Sequence, residues 1–256
     1  MSISKMVQRR LSAFGAISAA ITSNKPVLVK EVHTELQRFL KPGESISEAQ
    51  VELVLDLLLR RHQAKSEEMK SADEAHSIEL GEDVASRREL DERTEECYET
   101  FIDFKNSIRN NFGEQLLHEM QIQGRTPREY QPLNQQYGNA LKWLSNPNTS
   151  FPKVSGRFGV KMNKKEVFGI LSSENDKLEK SAQEREKEKR ESENAMLKKN
   201  LLINDYDRTE SQTSNIFAAF LELSGMDEQA KRLRPTKRRI SSSSQENPSQ
   251  ESTTTQ

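Results

Sequence analysis

The residues best suited to metal chemistry are acids and histidines at helical spacing. Asp73 and His76 stand three residues apart, and Glu79 follows at the same interval. Positions three or four apart share a helix face, and di-metal bundles hold their ions with paired acid-x-x-His motifs of this kind. The second pair is incomplete here, because Gln115 stands where an acid would precede His118. We therefore expect polar helix surfaces at these positions and no metal site.

The single cysteine, Cys97, is the candidate nucleophile. It lies between Thr94 and Phe101 at heptad spacing, and a thiol buried among apolar side chains has a raised pKa and is inert. The sequence contains no nucleophile elbow, no Walker loop and no dinucleotide fingerprint. We predict a protein without enzymatic activity or cofactor.

A cluster of cations near the C-terminal end is the candidate site for an anionic partner. It consists of Lys231, Arg232, Arg234, Lys237, Arg238 and Arg239. Such a cluster can neutralise several phosphates and bind nucleic acid with a salt-sensitive affinity. The whole chain provides no general attraction, since 39 basic residues face 40 acidic ones. Nucleic-acid binding through this cluster is the alternative function, beside the simpler interpretation of a solvated terminus.

The clearest periodicity of the chain lies between residues 90 and 112. Apolar residues step by four and three positions, which is typical of a coiled coil or an antiparallel bundle. This interaction seam contains Leu90, Cys97, Phe101, Phe104, Ile108 and Phe112. It predicts packing against other helices, with self-association through the seam as one form of that packing.

Further helices are expected before the seam. A short amphipathic helix should follow Pro26, and Ser45 with Glu48 resembles a capping box at the start of the next helix. The segment 51–59 is apolar around most of its circumference, so we expect it to be buried on several sides. Gly81, followed by two acids, predicts a break in the chain's helical structure.

The remaining segments are more polar. A long helix should begin at Lys164, and residues 179–193 combine opposite charges at three- and four-residue spacing, as in an exposed charged arm. Residues 235–256 are rich in Ser, Thr, Gln and Glu and predict a disordered tail. Residues 1–25 read either as an N-terminal helix or as a targeting segment. The predicted segments are thus 1–25, a bundle over 26–163, helices over 164–234, and the tail.

Composition sets the fold class. Hydrophobic residues make up 33% of the 256 and charged residues 31%, which limits the size of a compact core. We predict an all-α, elongated helical bundle with coiled-coil-like pairing, a charged helical arm and a disordered C-terminal tail. No apolar run approaches the roughly 20 residues that a transmembrane helix needs. The function predicted from these features is non-enzymatic protein–protein interaction or scaffolding, with a protein partner or self-association.

Three stretches also carry a family resemblance. They are residues 73–91, the motif Gly124-Arg125-Thr126-Pro127-Arg128, and residues 223–236, beginning Leu-Ser-Gly-Met-Asp. In this order they resemble a group of predicted all-helical bacterial proteins without an assigned function. The resemblance implies a bacterial, cytoplasmic, helical protein and carries over no functional residue.

Overall fold

A computed structural model describes residues 3–154 and 161–234 of the chain. Within these ranges every regular element is a helix, which confirms the all-α prediction. In chain order the helices are α1 (Lys5–Gln37), α2 (Glu48–Phe112), α3 (Glu114–Glu119), α4 (Tyr130–Ser145), α5 (Lys164–Leu223) and α6 (Asp227–Leu233). None of the helices in the described part is long and apolar enough to cross a membrane. The predicted tail, 235–256, lies outside the described residues.

The chain forms two compact units whose boundaries differ from the predicted segments. Unit 2 runs from Ile78 to Asn194, and unit 1 takes the chain up to Ser77 and from Ala195 onward. Both α2 and α5 contribute to each unit, because each helix continues through the point where the units divide.

Unit 1 contains α1, the first part of α2, the last part of α5, and α6. Its apolar side chains form two clusters of buried residues, in which α1 supplies one side. They comprise Val7, Ile17, Ile21, Leu28, Val29, Leu55, Met69, Ile203, Tyr206, Phe217, Ala218, Leu221 and Ala230. Residues 5–25 are therefore a helix that helps to build this core.

Helix α1 does not begin after Pro26 but passes through it without interruption. A proline inside a helix removes one backbone hydrogen bond and typically kinks or breaks it. Here the neighbouring residues are held from α2, because Lys25 Nζ lies 2.8 Å from Glu52 and 2.7 Å from Asp56. Leu28, two residues after the proline, is fully buried. These tertiary contacts outweigh the local cost of the proline.

Helix α2 begins with a capping box two residues later than the predicted one. The backbone N–H of Gln50 donates to Ser47 Oγ at 3.3 Å, and the N–H of Ser47 donates to Gln50 Oε1 at 2.8 Å. The helix then continues through Gly81, so the predicted break is absent. A helical glycine costs only about 1 kcal/mol relative to alanine, which packing on both sides of Gly81 offsets.

Unit 2 packs α3 and α4 against the second part of α2 and the first part of α5. Phe101 and Tyr137 meet at a ring distance of 4.6 Å, and the Tyr137 hydroxyl donates to the Cys97 carbonyl at 2.8 Å. The charged stretch 179–193 is not a fully solvated arm, since Glu188 and Ser192 are each only 9% exposed. One face of this stretch is covered, while the opposite charges line its outer faces.

An ion pair anchors α1 to α5 in unit 1 and allows a direct test of this packing. Arg10 donates two hydrogen bonds to Asp207, both of 2.7 Å, and its side chain is only 12% exposed. Asp207→Asn should lower the free energy of unfolding by about 2 kcal/mol, because it leaves a nearly buried guanidinium without its countercharge. Denaturant unfolding followed by circular dichroism at 222 nm measures the change.

The matched control is Glu92→Gln, which disrupts the solvent-exposed pair between Arg88 and Glu92. Exposed pairs of this kind contribute little, so this variant should unfold like the unchanged protein. Equal destabilisation by the two variants would contradict the assigned role of Asp207.

Candidate interaction surfaces

The predicted interaction seam is an internal surface of unit 2. Leu90, Cys97, Phe101, Phe104 and Ile108 are each at most 7% exposed. They pack with apolar residues of α3, of the segment that follows it, and of α4 and α5, namely Leu116, Leu117, Met120, Ile122, Leu133, Ala140, Leu144, Leu171 and Leu178. Phe112 is partly buried at the edge of this core and stacks on Phe151 at 5.0 Å. The self-association role proposed for the seam is therefore corrected, because the chain's own helices already cover it.

Cys97 behaves as its place in the seam predicts. It is fully buried, and its thiol donates to the Glu174 carbonyl at 3.5 Å. Burial, reinforced by the charge of Glu174, raises the pKa of the thiol to about 11. A protonated and covered thiol is a weak nucleophile, so its role in this structure is packing.

Three of the six cations of the cluster lie within the described residues, and two of these three form ion pairs with acidic side chains. Lys231 Nζ lies 2.8 Å from Glu228, and Arg234 donates to Glu222 at the same distance. Arg232 is exposed on the same short helix, α6. The other three members, Lys237, Arg238 and Arg239, lie outside the described residues. Binding of an anionic partner by this cluster stays a prediction.

Of the residues considered as metal ligands, Asp73 forms hydrogen bonds within unit 1 and His118 lies on the surface. Asp73 is nearly buried in unit 1, where it accepts hydrogen bonds from Lys199 Nζ and from the Ser4 N–H, both of 2.7 Å. Burial alone would raise the pKa of this carboxyl, but the two hydrogen bonds outweigh it and the pKa is lowered. Asp73 thus serves as the acceptor that joins α2 to α5 and to the start of α1. His118 is exposed on α3.

Glu79 belongs to an acidic trio that the sequence did not reveal. Its carboxylate and those of Glu188 and Glu191 lie within 4.8 Å of one another in unit 2. Lys187 compensates the trio, since its Nζ lies 3.1 Å from Glu188 and 3.8 Å from Glu191. Because a lysine of the chain already supplies the positive charge, we assign no ligand to this cluster.

A cleft of about 640 Å³ lies beside the start of α4 in unit 2. Arg87, Arg128 and Arg185 line it together with the acids Asp91, Glu95 and Glu129. Arg128 is already occupied, because it donates to both carboxylate oxygens of Glu95 and lies 4.4 Å from the centre of the Tyr98 ring. The opposite charges balance, so the cleft has no clear preference for an anion or a cation.

An apolar surface on unit 1 is the candidate that remains. The first apolar stretch of α2 is not buried all round as predicted: Val51 and Leu55 are buried, but Leu53, Val54 and Leu57 are about half exposed. The reason is the number of neighbours. In unit 1, α1 and α5 pack against α2, and two neighbours cannot cover the whole circumference of a helix.

Helix α5 extends this apolar surface. Arg61 donates to Gln212 at 2.9 Å and Lys65 pairs with Asp205, so α2 and α5 run antiparallel here. One turn further along each helix, on the same sides as Arg61 and Gln212, are Leu57 of α2 and Ile216 of α5. We call the resulting surface the shelf. It comprises Leu53, Val54, Leu57, Ile216 and Leu223, whose exposures range from 38% to 53%.

Lys105 and His62 are among the buried polar residues that the sequence patterns did not predict. Lys105 is 3% exposed and donates to the Gly124 carbonyl at 2.9 Å, and burial together with Arg109 lowers its pKa. His62 is fully buried between Phe14 and Tyr206, and neither ring nitrogen has a hydrogen-bond partner among the described residues. His62 lies seven residues from both Leu55 and Met69 and therefore on the same buried face of α2. This spacing alone predicts that position 62 is buried, although histidine is polar.

No family model, curated protein or solved structure matches this chain.

His62 should make unit 1 sensitive to mild acid. Burial lowers the pKa of its imidazole from 6.5 to about 4, so between these values the unfolded chain binds the proton and the folded chain does not. Stability should fall as the pH drops from 7 to 5, by about 2 kcal/mol from this group. Denaturant unfolding at several pH values measures the slope.

His62→Leu should flatten that slope, because leucine fills the site without titrating. His118→Gln, which removes an exposed histidine on α3 in unit 2, is the control variant. An acid slope that is the same in both variants would show that His62 is not responsible.

Proposed function

We propose that this chain is a non-enzymatic helical interaction protein that binds a protein partner through the shelf on unit 1. The observation that carries the proposal is the half-exposed apolar surface on two adjacent helices. Soluble proteins rarely expose contiguous apolar patches of several hundred Å², and those that they do expose are often binding sites.

The composition of the shelf supports this proposal. Leu53, Leu57 and Ile216 are large aliphatic side chains that are 38% to 53% exposed, so a substantial part of each one faces solvent. Grooves between two antiparallel helices are a recurrent docking place for amphipathic helices, which insert apolar side chains at three- and four-residue spacing.

The buried seam supports the same proposal by contrast. Within the described residues, the most regular heptad pattern of the chain is used for internal packing in unit 2. The shelf residues differ from the seam residues in exposure. They are 38% to 53% exposed, whereas the seam residues from Leu90 to Ile108 are at most 7% exposed because other helices of the chain cover them.

A double variant tests the proposal. Leu53→Glu combined with Leu57→Glu places two charges on the shelf, which should abolish capture of a specific partner by the full chain in an affinity experiment read by quantitative mass spectrometry. The charges would have to be desolvated in any contact there, which is costly.

Leu201→Glu provides the matched control. Leu201 is another leucine of unit 1, 70% exposed on α5 away from the shelf. The proposal is supported by a protein that the unchanged chain and the Leu201 variant both recover and the double variant does not. Equal recovery by all three chains, or recovery of nothing above background, would contradict it. Circular dichroism of each variant checks that the helices are retained.

A further inference from the structure

A polar layer separates the two apolar clusters of unit 1. Three buried side chains form it, each at most 1% exposed, namely His62 of α2 and Thr209 and Thr213 of α5. On α2, His62 lies midway between Leu55 of one cluster and Met69 of the other. On α5, the two threonines lie between Tyr206 of one cluster and Phe217 of the other. The apolar stripes of both helices are thus interrupted at the same place in the core.

Contacts between α2 and α5 place Thr209 level with His62. The residues that flank this level are in contact, Lys65 with Asp205 at 3.0 Å and Arg61 with Gln212 at 2.9 Å. The ring centres of His62 and Tyr206 are 5.3 Å apart, and Thr209 follows Tyr206 by three residues on the same face of α5. Thr209 is therefore the buried polar residue that α5 presents at the level of the imidazole.

The polar atoms of this layer need hydrogen-bond partners. Both ring nitrogens of His62 and the hydroxyls of Thr209 and Thr213 are buried, and none of them is hydrogen-bonded within the described part of the chain. Buried polar groups almost always have a partner, because an unpaired one costs free energy. A neutral imidazole has one donor and one acceptor nitrogen, and a hydroxyl can donate and accept. A molecule that pairs with these groups must therefore be both a donor and an acceptor.

The surroundings of the layer define this molecule further. The ring centres of Phe14 and Tyr206 lie 4.9 Å and 5.3 Å from that of His62, and such close aromatic packing restricts the ligand to a small one. Arg10 and Asp207 on the same two helices are paired with each other through two hydrogen bonds, so neither charge is left to balance an ion. A small, neutral molecule that both donates and accepts hydrogen bonds is water.

We propose that the core of unit 1 binds an internal water molecule that bridges the imidazole of His62 and the hydroxyl of Thr209. Buried waters typically make about three hydrogen bonds to polar groups that otherwise lack a partner. Thr213, one turn further along α5, offers the third group. The site lies in the core and not on the shelf, so this inference is independent of the proposed function.

Oxygen-17 magnetic relaxation dispersion of the full chain tests the proposal, because it detects water molecules that a protein holds internally. His62→Leu combined with Thr209→Val should reduce the internal-water contribution by that of one molecule. Thr94→Val is the matched control, since this buried threonine of unit 2 already donates to the Leu90 carbonyl at 2.7 Å. An equal contribution from the unchanged chain and the double variant overturns the proposal.

Denaturant unfolding of the same variants is the second measurement. Thr209→Val removes a partner of the bridging water, so the ratio of folded to unfolded protein should fall about fivefold. In the His62→Leu background the same substitution should have a smaller effect, because the bridge is already broken. Thr94→Val should have the same effect in both backgrounds. A rise of the ratio with Thr209→Val would reveal an unpaired hydroxyl and overturn the proposal.

Nuclear magnetic resonance of the unchanged chain needs no variant and keeps the proposal testable if the double variant does not fold. Cross-relaxation between water and the ring N–H of His62 is the expected result. Its absence, or coupling of positions 62 and 209 without the loss of an internal water, would indicate that the two side chains have no bridging water between them and would overturn the proposal.

Discussion

Two helices of 65 and 60 residues must cover each other's apolar stripes, and the rest of the structure depends on that constraint. Isolated helices are marginally stable in water, and most of their stability in proteins comes from the packing of an apolar face. In unit 1, α2 and α5 meet antiparallel through the Lys65–Asp205 and Asp73–Lys199 ion pairs. In unit 2 they meet again where the Cys97 thiol donates to the α5 backbone. The seam and the shelf both follow from this register.

Local signals in the sequence predicted the fold class and several helix ends correctly. The heptad between Leu90 and Phe112 is buried as a stripe, α5 begins at Lys164 as expected, and Gly113 separates α2 from α3. These features depend on neighbours within a few residues. The pattern of apolar positions and the backbone freedom of a glycine are both local quantities that a sequence contains.

The errors arose where distant contacts overrode local preferences. Pro26 and Gly81 would each interrupt an isolated helix, yet both lie inside long helices held by packing from other elements. The capping box was misplaced because two overlapping Ser-x-x-acceptor motifs compete, and only Ser47 and Gln50 form the hydrogen bonds. The apolar segment 51–59 was expected in a core because composition cannot tell how many helices surround it. For the same reason the sequence does not predict the shelf, because its exposure depends on how many helices pack around α2.

The antiparallel register of α2 and α5 is the central claim, and carbodiimide cross-linking with peptide mass spectrometry tests it most directly. The reagent joins a lysine to a carboxylate in contact with it. Coupling of Lys65 to Asp205 is the expected result, and coupling of Lys25 to Asp56 serves as the internal reference. A register shifted by about one turn would instead join Lys65 to another carboxylate of α5, such as Glu210. That product, in place of the Lys65–Asp205 link, would contradict the account.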